Sequence, residues 1–131
     1  MQKPAEILVI DDDDINNLLC KLILNATVPE VEVNTFSIPE KGLEYIEQTC
    51  IALNHEKPRL LLLDINMPSM TGWEVLTALS AFDQLKDKWI IYMLSSSLDQ
   101  KDKNQATSNP LVAGFISKPL TKDKLDLIFL P

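Results

Sequence analysis

Five short apolar runs, each followed by a stretch of helical spacing, constrain this chain more than any other feature. "ILVI" (residues 7–10) is continuous, apolar and rich in branched side chains, which reads as a strand buried on both faces. Behind it Ile15, Leu18, Leu19, Leu22 and Ile23 follow the i, i+3, i+4, i+7, i+8 spacing of an amphipathic helix. "VEVNTF" (31–36) alternates like a strand, and "IPEKGLEYIEQTCIAL" (38–53) reads as a helix with Pro39 tolerated in its first turn. "LLLL" (60–63) is a second fully apolar strand. The helix "TGWEVLTALSAF" (71–82) follows it, with Trp73, Leu76, Leu79 and Phe82 on one side. "WIIYML" (89–94) is a third buried strand. "LDQKDKNQATSN" (98–109) is polar almost all round, so the fourth helix should be the weakest. "VAGFIS" (112–117) is the last strand, and "TKDKLDLIFL" (121–130) closes as a helix that Thr121 is placed to cap.

Strand and helix alternating five times implies a parallel sheet covered by helices on both faces. Right-handed crossovers leave few topologies, and the flavodoxin-like order 2-1-3-4-5 is the common solution for five strands. The expected fold is therefore α/β and doubly wound, with a five-stranded parallel sheet, five helices and one domain over residues 1–131. Such sheets bind ligands beyond the carboxyl ends of their strands.

At those ends the residues are chemically uneven. Asp11, Asp12, Asp13 and Asp14 follow the first strand, Asp64 the third, Ser95, Ser96 and Ser97 the fourth, and Lys118 the fifth. Helix capping accounts for Asp13 and Asp14, and Ser96 or Ser97 suits the cap of the next helix. Capping leaves Asp11 and Asp12 unexplained, and the predicted strand order brings Asp64 beside them. Two carboxylates about 4 Å apart repel by about 4 kcal/mol at an effective dielectric of about 20, more than a cap returns. A divalent cation offsets that repulsion. Oxygen ligands with open positions suit Mg²⁺ rather than zinc or copper. The lone His55, in the polar "LNHEKP" loop, reads as a solvated residue. A lysine after a buried strand either snorkels to water or, beside such a cluster, neutralises a transferring phosphoryl group. Ser95 offers that group a hydroxyl.

The rest of the chain narrows the chemistry by exclusion. Its three glycines fall in no phosphate-binding or dinucleotide-binding frame. A net charge of −7 argues against a nucleic-acid-binding face and against docking on an anionic membrane. Two cysteines, Cys20 and Cys50, without CxxC spacing read as reduced thiols. The N-terminus carries no signal-peptide pattern and no apolar run approaches a membrane span, so a cytoplasmic location is expected.

"ILVIDDDD", "LLLLDINMPSMTGWEVL", "IIYMLSSS" and "GFISKPL", taken in this order, resemble the receiver domain of two-component response regulators from about Ile7 to Phe129. The resemblance implies that Asp64 accepts a phosphoryl group. Asp11 and Asp12 would hold Mg²⁺ together with Asp64 and the main-chain carbonyl of Asn66. Ser95 and Lys118 would contact the phosphoryl group, and Phe115 stands at the position of the switch aromatic. A cis Lys118–Pro119 peptide is expected. The implied donor is a sensor histidine kinase or a histidine phosphotransfer protein, and acceptance and self-dephosphorylation would be the only catalysis. An output partner, or a second copy in a homodimer, would meet the face made by the fourth helix, fifth strand and last helix, at about residues 98–109, 112–117 and 121–129. Asn66 and Ser97 stand where the phosphate lifetime would be tuned. Two departures concern partner choice: Asp14 stands where relatives often carry proline, and the stretch from Cys50 to Pro58 lengthens the connection into the third strand.

Two other readings share parts of this pattern. A haloacid-dehalogenase-type phosphatase would use Asp11 as nucleophile, with Asp13 completing its DxD frame, but the chain has no room for a cap domain. A phosphorylation-silent receiver would act only as a binding module.

Overall fold

The computed structural model describes residues 2–51, 57–96 and 99–129. His55 and Ser97, for which readings were made from the sequence, lie outside the described residues.

Five strands form one parallel sheet in the order β2-β1-β3-β4-β5. They are β1 (Glu6–Ile10), β2 (Glu32–Phe36), β3 (Arg59–Asp64), β4 (Trp89–Ser95) and β5 (Val112–Ser117). The helices are α1 (Asp14–Thr27), α2 (Pro39–Ile51), α3 (Gly72–Leu79), α4 (Leu85–Lys88), α5 (Gln100–Ser108) and α6 (Lys122–Phe129).

The continuous apolar runs are explained by packing on both sides. Leu8, Ile10, Leu61, Leu63, Ile91 and Met93 meet Ile46, Val75, Leu76, Leu79 and Ala106 on one face. Ile7, Val9, Leu60, Leu62, Leu94 and Ile116 meet Cys20, Leu24, Leu125 and Ile128 on the other. A strand covered on both faces keeps its polar residues to its ends, as Glu6, Asp64 and Ser95 are placed.

Helix caps follow the sequence closely. The Asp13 carboxylate caps α1, accepting from Ile15 N–H at 2.9 Å and Asn16 N–H at 3.4 Å, and Asp14 lies in the first turn. Thr71 and Glu74 form a reciprocal capping box on α3. Thr121 Oγ1 accepts from Lys124 N–H at 3.3 Å. α5 buries only Ala106, as its polar composition implies.

Three expectations are corrected. The described residues contain six helices, not five. The extra one, α4, is a single four-residue turn that buries Leu85 before β4, too short to leave a periodic signal. The cap of α5 is Asp99, whose carboxylate accepts from Lys101 N–H, rather than Ser96. Finally, α1 forms where expected but presents most of its apolar stripe to solvent, and of the five residues only Ile23 is half-buried against the core. Ile15, Leu18, Leu19 and Leu22 are 54–70% exposed, while Asn17, Cys20 and Leu24 face the sheet. Asn17 fixes that rotation: its Nδ2 donates to the Asp11 carbonyl at 2.8 Å and to the Phe36 carbonyl at 3.5 Å, tying the helix to the ends of β1 and β2.

Candidate functional site

Strand register assembles the site. Ile10 stands opposite Leu63, so Asp11 and Asp64 leave adjacent strands side by side. Asp64 is in turn opposite Leu94, one residue before Ser95. Between β4 and β5 the register slips: Ile91 pairs with Val112, but Tyr92 pairs with Gly114. The slip advances β5 by one residue and sets Ser117 opposite Ser95. Lys118 comes next, and its N–H donates to the Ser95 carbonyl at 2.8 Å. Glycine suits position 114, because a Cβ there would stand 2.6 Å from the Tyr92 ring.

Asp11, Asp12 and Asp64 each offer a carboxylate oxygen within 4.8 Å of the others. Asp11 and Asp64 are buried and Asp12 is exposed. At that spacing each ionised pair repels by about 3 kcal/mol at an effective dielectric of about 20. Lys118 relieves part of it: Nζ lies 2.7 Å from Asp11 Oδ2 and 3.2 Å from Asp64 Oδ1. Three carboxylates and one ammonium still leave −2 when all are ionised, the charge that one divalent cation balances. The donor set is oxygen only, which fits a hard cation such as Mg²⁺.

The crowding changes the acid–base character of the site. Burial raises the Asp64 carboxyl from 3.8 to about 6, and the neighbouring Asp11 charge adds to it, against Lys118 and a hydrogen bond from the Asn66 backbone N–H. Burial pulls the Lys118 ammonium down. The hydrogen bond to Asp11 and the charges of Asp64 and Asp11 outweigh that, so its net shift is upward. Under the cluster, burial first and then Asp11 raise the Cys20 thiol to about 11, keeping it protonated and unreactive at neutral pH.

The backbone around Asp64 is equally tight. Gly72 N–H donates to the Ile65 carbonyl at 2.9 Å, closing the loop that carries Asn66 and Met67. A Cβ on Gly72 would stand 2.5 Å from the Asp64 carbonyl oxygen, so the start of α3 reaches the acceptor strand only without a side chain. The Lys118–Pro119 peptide is cis.

The structure thus brings together Asp11, Asp12, Asp64 and Lys118, with Asn66 hydrogen-bonded to Asp64 and Ser95 buried at the end of the next strand. Phe115 is half-buried opposite Met93 and packs into the core on that side of the sheet. Sequence reasoning missed two residues. Asn16 Nδ2 donates to Asp11 Oδ2 at 2.6 Å, and Asn17 holds the Asp11 carbonyl. Their only signal was two amides one turn past the acids, which read as ordinary helix-surface residues.

A family model described as the response regulator receiver domain matches residues 7–129. Among curated proteins, the 3′,5′-cyclic-nucleotide phosphodiesterase regA of Dictyostelium discoideum is 32% identical over 129 residues. That match covers 92% of this chain and 14% of regA, so the chain spans only a small part of that relative. The two-component response regulator ARR17 of Arabidopsis thaliana is 27% identical, covering 92% of this chain and 79% of that protein. Among solved structures, a two component response regulator from Cytophaga hutchinsonii superposes with a TM-score of 0.85 at 32% identity, covering 97% of this chain and 95% of the other.

Proposed function

Since the chain belongs to the response regulator receiver domain family, we propose that it is a signalling switch that takes a phosphoryl group from a phosphohistidine donor onto Asp64. The observation that carries this reading is the convergence of Asp11, Asp12, Asp64 and Lys118 at one end of the sheet, with a net charge that calls for a divalent cation.

At neutral pH Asp64 is mainly ionised despite its raised value, as a carboxylate nucleophile must be. Its oxygen attacks the phosphorus of the donor phosphohistidine. A P–O bond forms, the P–N bond breaks, and the leaving imidazole takes up a proton. Lys118, now held between Asp11 and Asp64, moves its charge onto the phosphoryl oxygens. Ser95 donates its hydroxyl to the same group. Asp11, Asp12, Asp64 and the Asn66 carbonyl would hold Mg²⁺, which would supply charge neutralisation for the transfer. A water later attacks phosphorus, releasing inorganic phosphate and restoring the carboxylate. Asp64 is favoured over Asp11 as nucleophile because the Asp11 oxygens already accept from Asp13 N–H, Asn16 and Lys118.

The donor is a sensor histidine kinase or a histidine phosphotransfer protein, and it docks on α1. Ile15, Leu18, Leu19 and Leu22 line one exposed stripe that starts four residues after Asp11, so a helix laid on it can bring a phosphohistidine to the acid cluster. Output uses the β5 edge of the sheet, the end away from β2. Phosphate draws Ser95 inward and Phe115 repacks. α5, anchored by a single buried side chain, shifts against β5 and α6.

The test is labelling with acetyl phosphate, read by intact mass. The wild type should gain one phosphoryl group with Mg²⁺ and none in EDTA, and Asp64→Asn should gain none. Equal labelling of Asp64→Asn would refute the assignment.

A further inference from the structure

We infer that Asn16 is a positioning residue for this site: its amide fixes the Asp11 carboxylate toward the cation and keeps it fixed when Lys118 turns to the phosphoryl group. The inference rests on the phosphoacceptor reading and adds a residue to it.

A carboxylate offers about four lone-pair positions. On Asp11, Oδ2 accepts from Asn16 Nδ2 at 2.6 Å and pairs with Lys118 Nζ at 2.7 Å, so that oxygen is saturated. Oδ1 accepts from Asp13 N–H at 2.9 Å, which leaves one position open on that atom. The plane of the carboxylate is therefore set by three donors, and the open position is the one left for a cation or its bound water. Two of the donors come from the start of α1. Asp13 N–H belongs to the backbone at the N-cap of α1, and Asn16 sits one turn further on, its own N–H held by the Asp13 carboxylate at 3.4 Å. The third, Lys118, is shared with Asp64 at 3.2 Å and has another task once a phosphoryl group arrives. Without Asn16, departure of Lys118 would strip Oδ2 of every donor seen here and free the carboxylate to rotate. The amide nitrogen also lies 3.6 Å from Cys20 Sγ, a buried and protonated neighbour that limits how far the side chain can swing. Asn17 completes the grip by holding the Asp11 carbonyl at 2.8 Å. Consecutive amides thus fix the side chain and the main chain of one metal-site aspartate. Both lie on α1, the helix whose outer stripe is proposed to receive the donor.

The experiment compares wild type, Asn16→Ala and Asn16→Gln in three measurements: urea unfolding without metal, Mg²⁺ affinity by titration calorimetry, and acetyl phosphate labelling rate across a Mg²⁺ series. Asn16→Ala should weaken Mg²⁺ binding about tenfold, the range seen when a partner of a metal ligand is removed. It should also lower the labelling rate at saturating Mg²⁺, with the metal-free unfolding midpoint lowered by no more than the loss of one hydrogen bond to a buried carboxylate. Asn16→Gln, which keeps the amide on a longer arm, should recover part of both losses. Wild-type Mg²⁺ affinity and labelling in Asn16→Ala would overturn the inference, as would equal losses in Ala and Gln accompanied by a larger drop in unfolding midpoint. If the wild type binds Mg²⁺ but takes no label, the phosphoacceptor reading fails, while the change in Mg²⁺ affinity still decides the role of Asn16.

Discussion

Replacing Asp64 by asparagine should stabilise the metal-free protein, and the gain should vanish in acid. The Asp64 carboxyl is buried beside Asp11, and its value rises from 3.8 to about 6 on folding. Ionising it in the folded state therefore costs about 3 kcal/mol more than in the unfolded chain, at 1.36 kcal/mol per unit. That figure already nets the attraction of Lys118 against burial and Asp11, so the neutral isostere should be about 1–3 kcal/mol more stable at pH 7.5. Between about pH 4 and 6 the folded chain binds a proton that the unfolded chain has lost. Wild-type stability therefore falls as pH rises through that window, and the full cost is present only above it. The advantage of asparagine should drop to about half at pH 5 and about a fifth at pH 4. Urea unfolding of both proteins at these three pH values in EDTA measures it directly. Mg²⁺ should then reverse the order at neutral pH by stabilising the wild type more than the variant. A variant no more stable than wild type at pH 7.5, or an advantage that does not change with pH, would refute the electrostatic account of the site.

Other perturbations test other parts of the structure. Gly72→Ala forces a methyl against the Asp64 carbonyl and should cost about 1–3 kcal/mol, measured by urea unfolding, and slow labelling of Asp64. Glu6→Ala removes the buried carboxylate that accepts from Asn34, Tyr45 and Arg59, and thermal unfolding should show a loss of about 2–4 kcal/mol. Leu18→Asp with Leu22→Asp changes only exposed positions. It should leave unfolding within about 0.5 kcal/mol of wild type and labelling by acetyl phosphate intact, while abolishing transfer from a phosphorylated histidine phosphotransfer protein.

The sheet was legible because a strand buried on both faces is apolar through its middle, as residues 7–10, 60–63 and 89–94 are, with the polar residues of β1, β3 and β4 at the strand ends. Its order followed from chain crossovers, and with the order came the meeting of Asp11, Asp12, Asp64 and Lys118. What periodicity left open was which way a helix turns its stripe. The apolar spacing of α1 describes a helix, but Asn17 anchors the opposite face to β1 and β2, so Leu18 and Leu22 look outward. Glu6 was illegible for a related reason. An acid at the start of a strand reads as solvated, and it is buried only because donors from β2, α2 and β3 converge on it. Asn16 gave no sign of its role, since its partner is set by tertiary geometry and not by spacing.

The central claim is that crowded oxygens around Asp64 make that one side chain the acceptor when a divalent cation is present. Borohydride reduction after exposure to acetyl phosphate converts an aspartyl phosphate to homoserine, which peptide mapping locates. Homoserine at position 64 alone, appearing only with Mg²⁺, is the result expected. Homoserine at position 11, or at 64 to the same extent in EDTA, would contradict it.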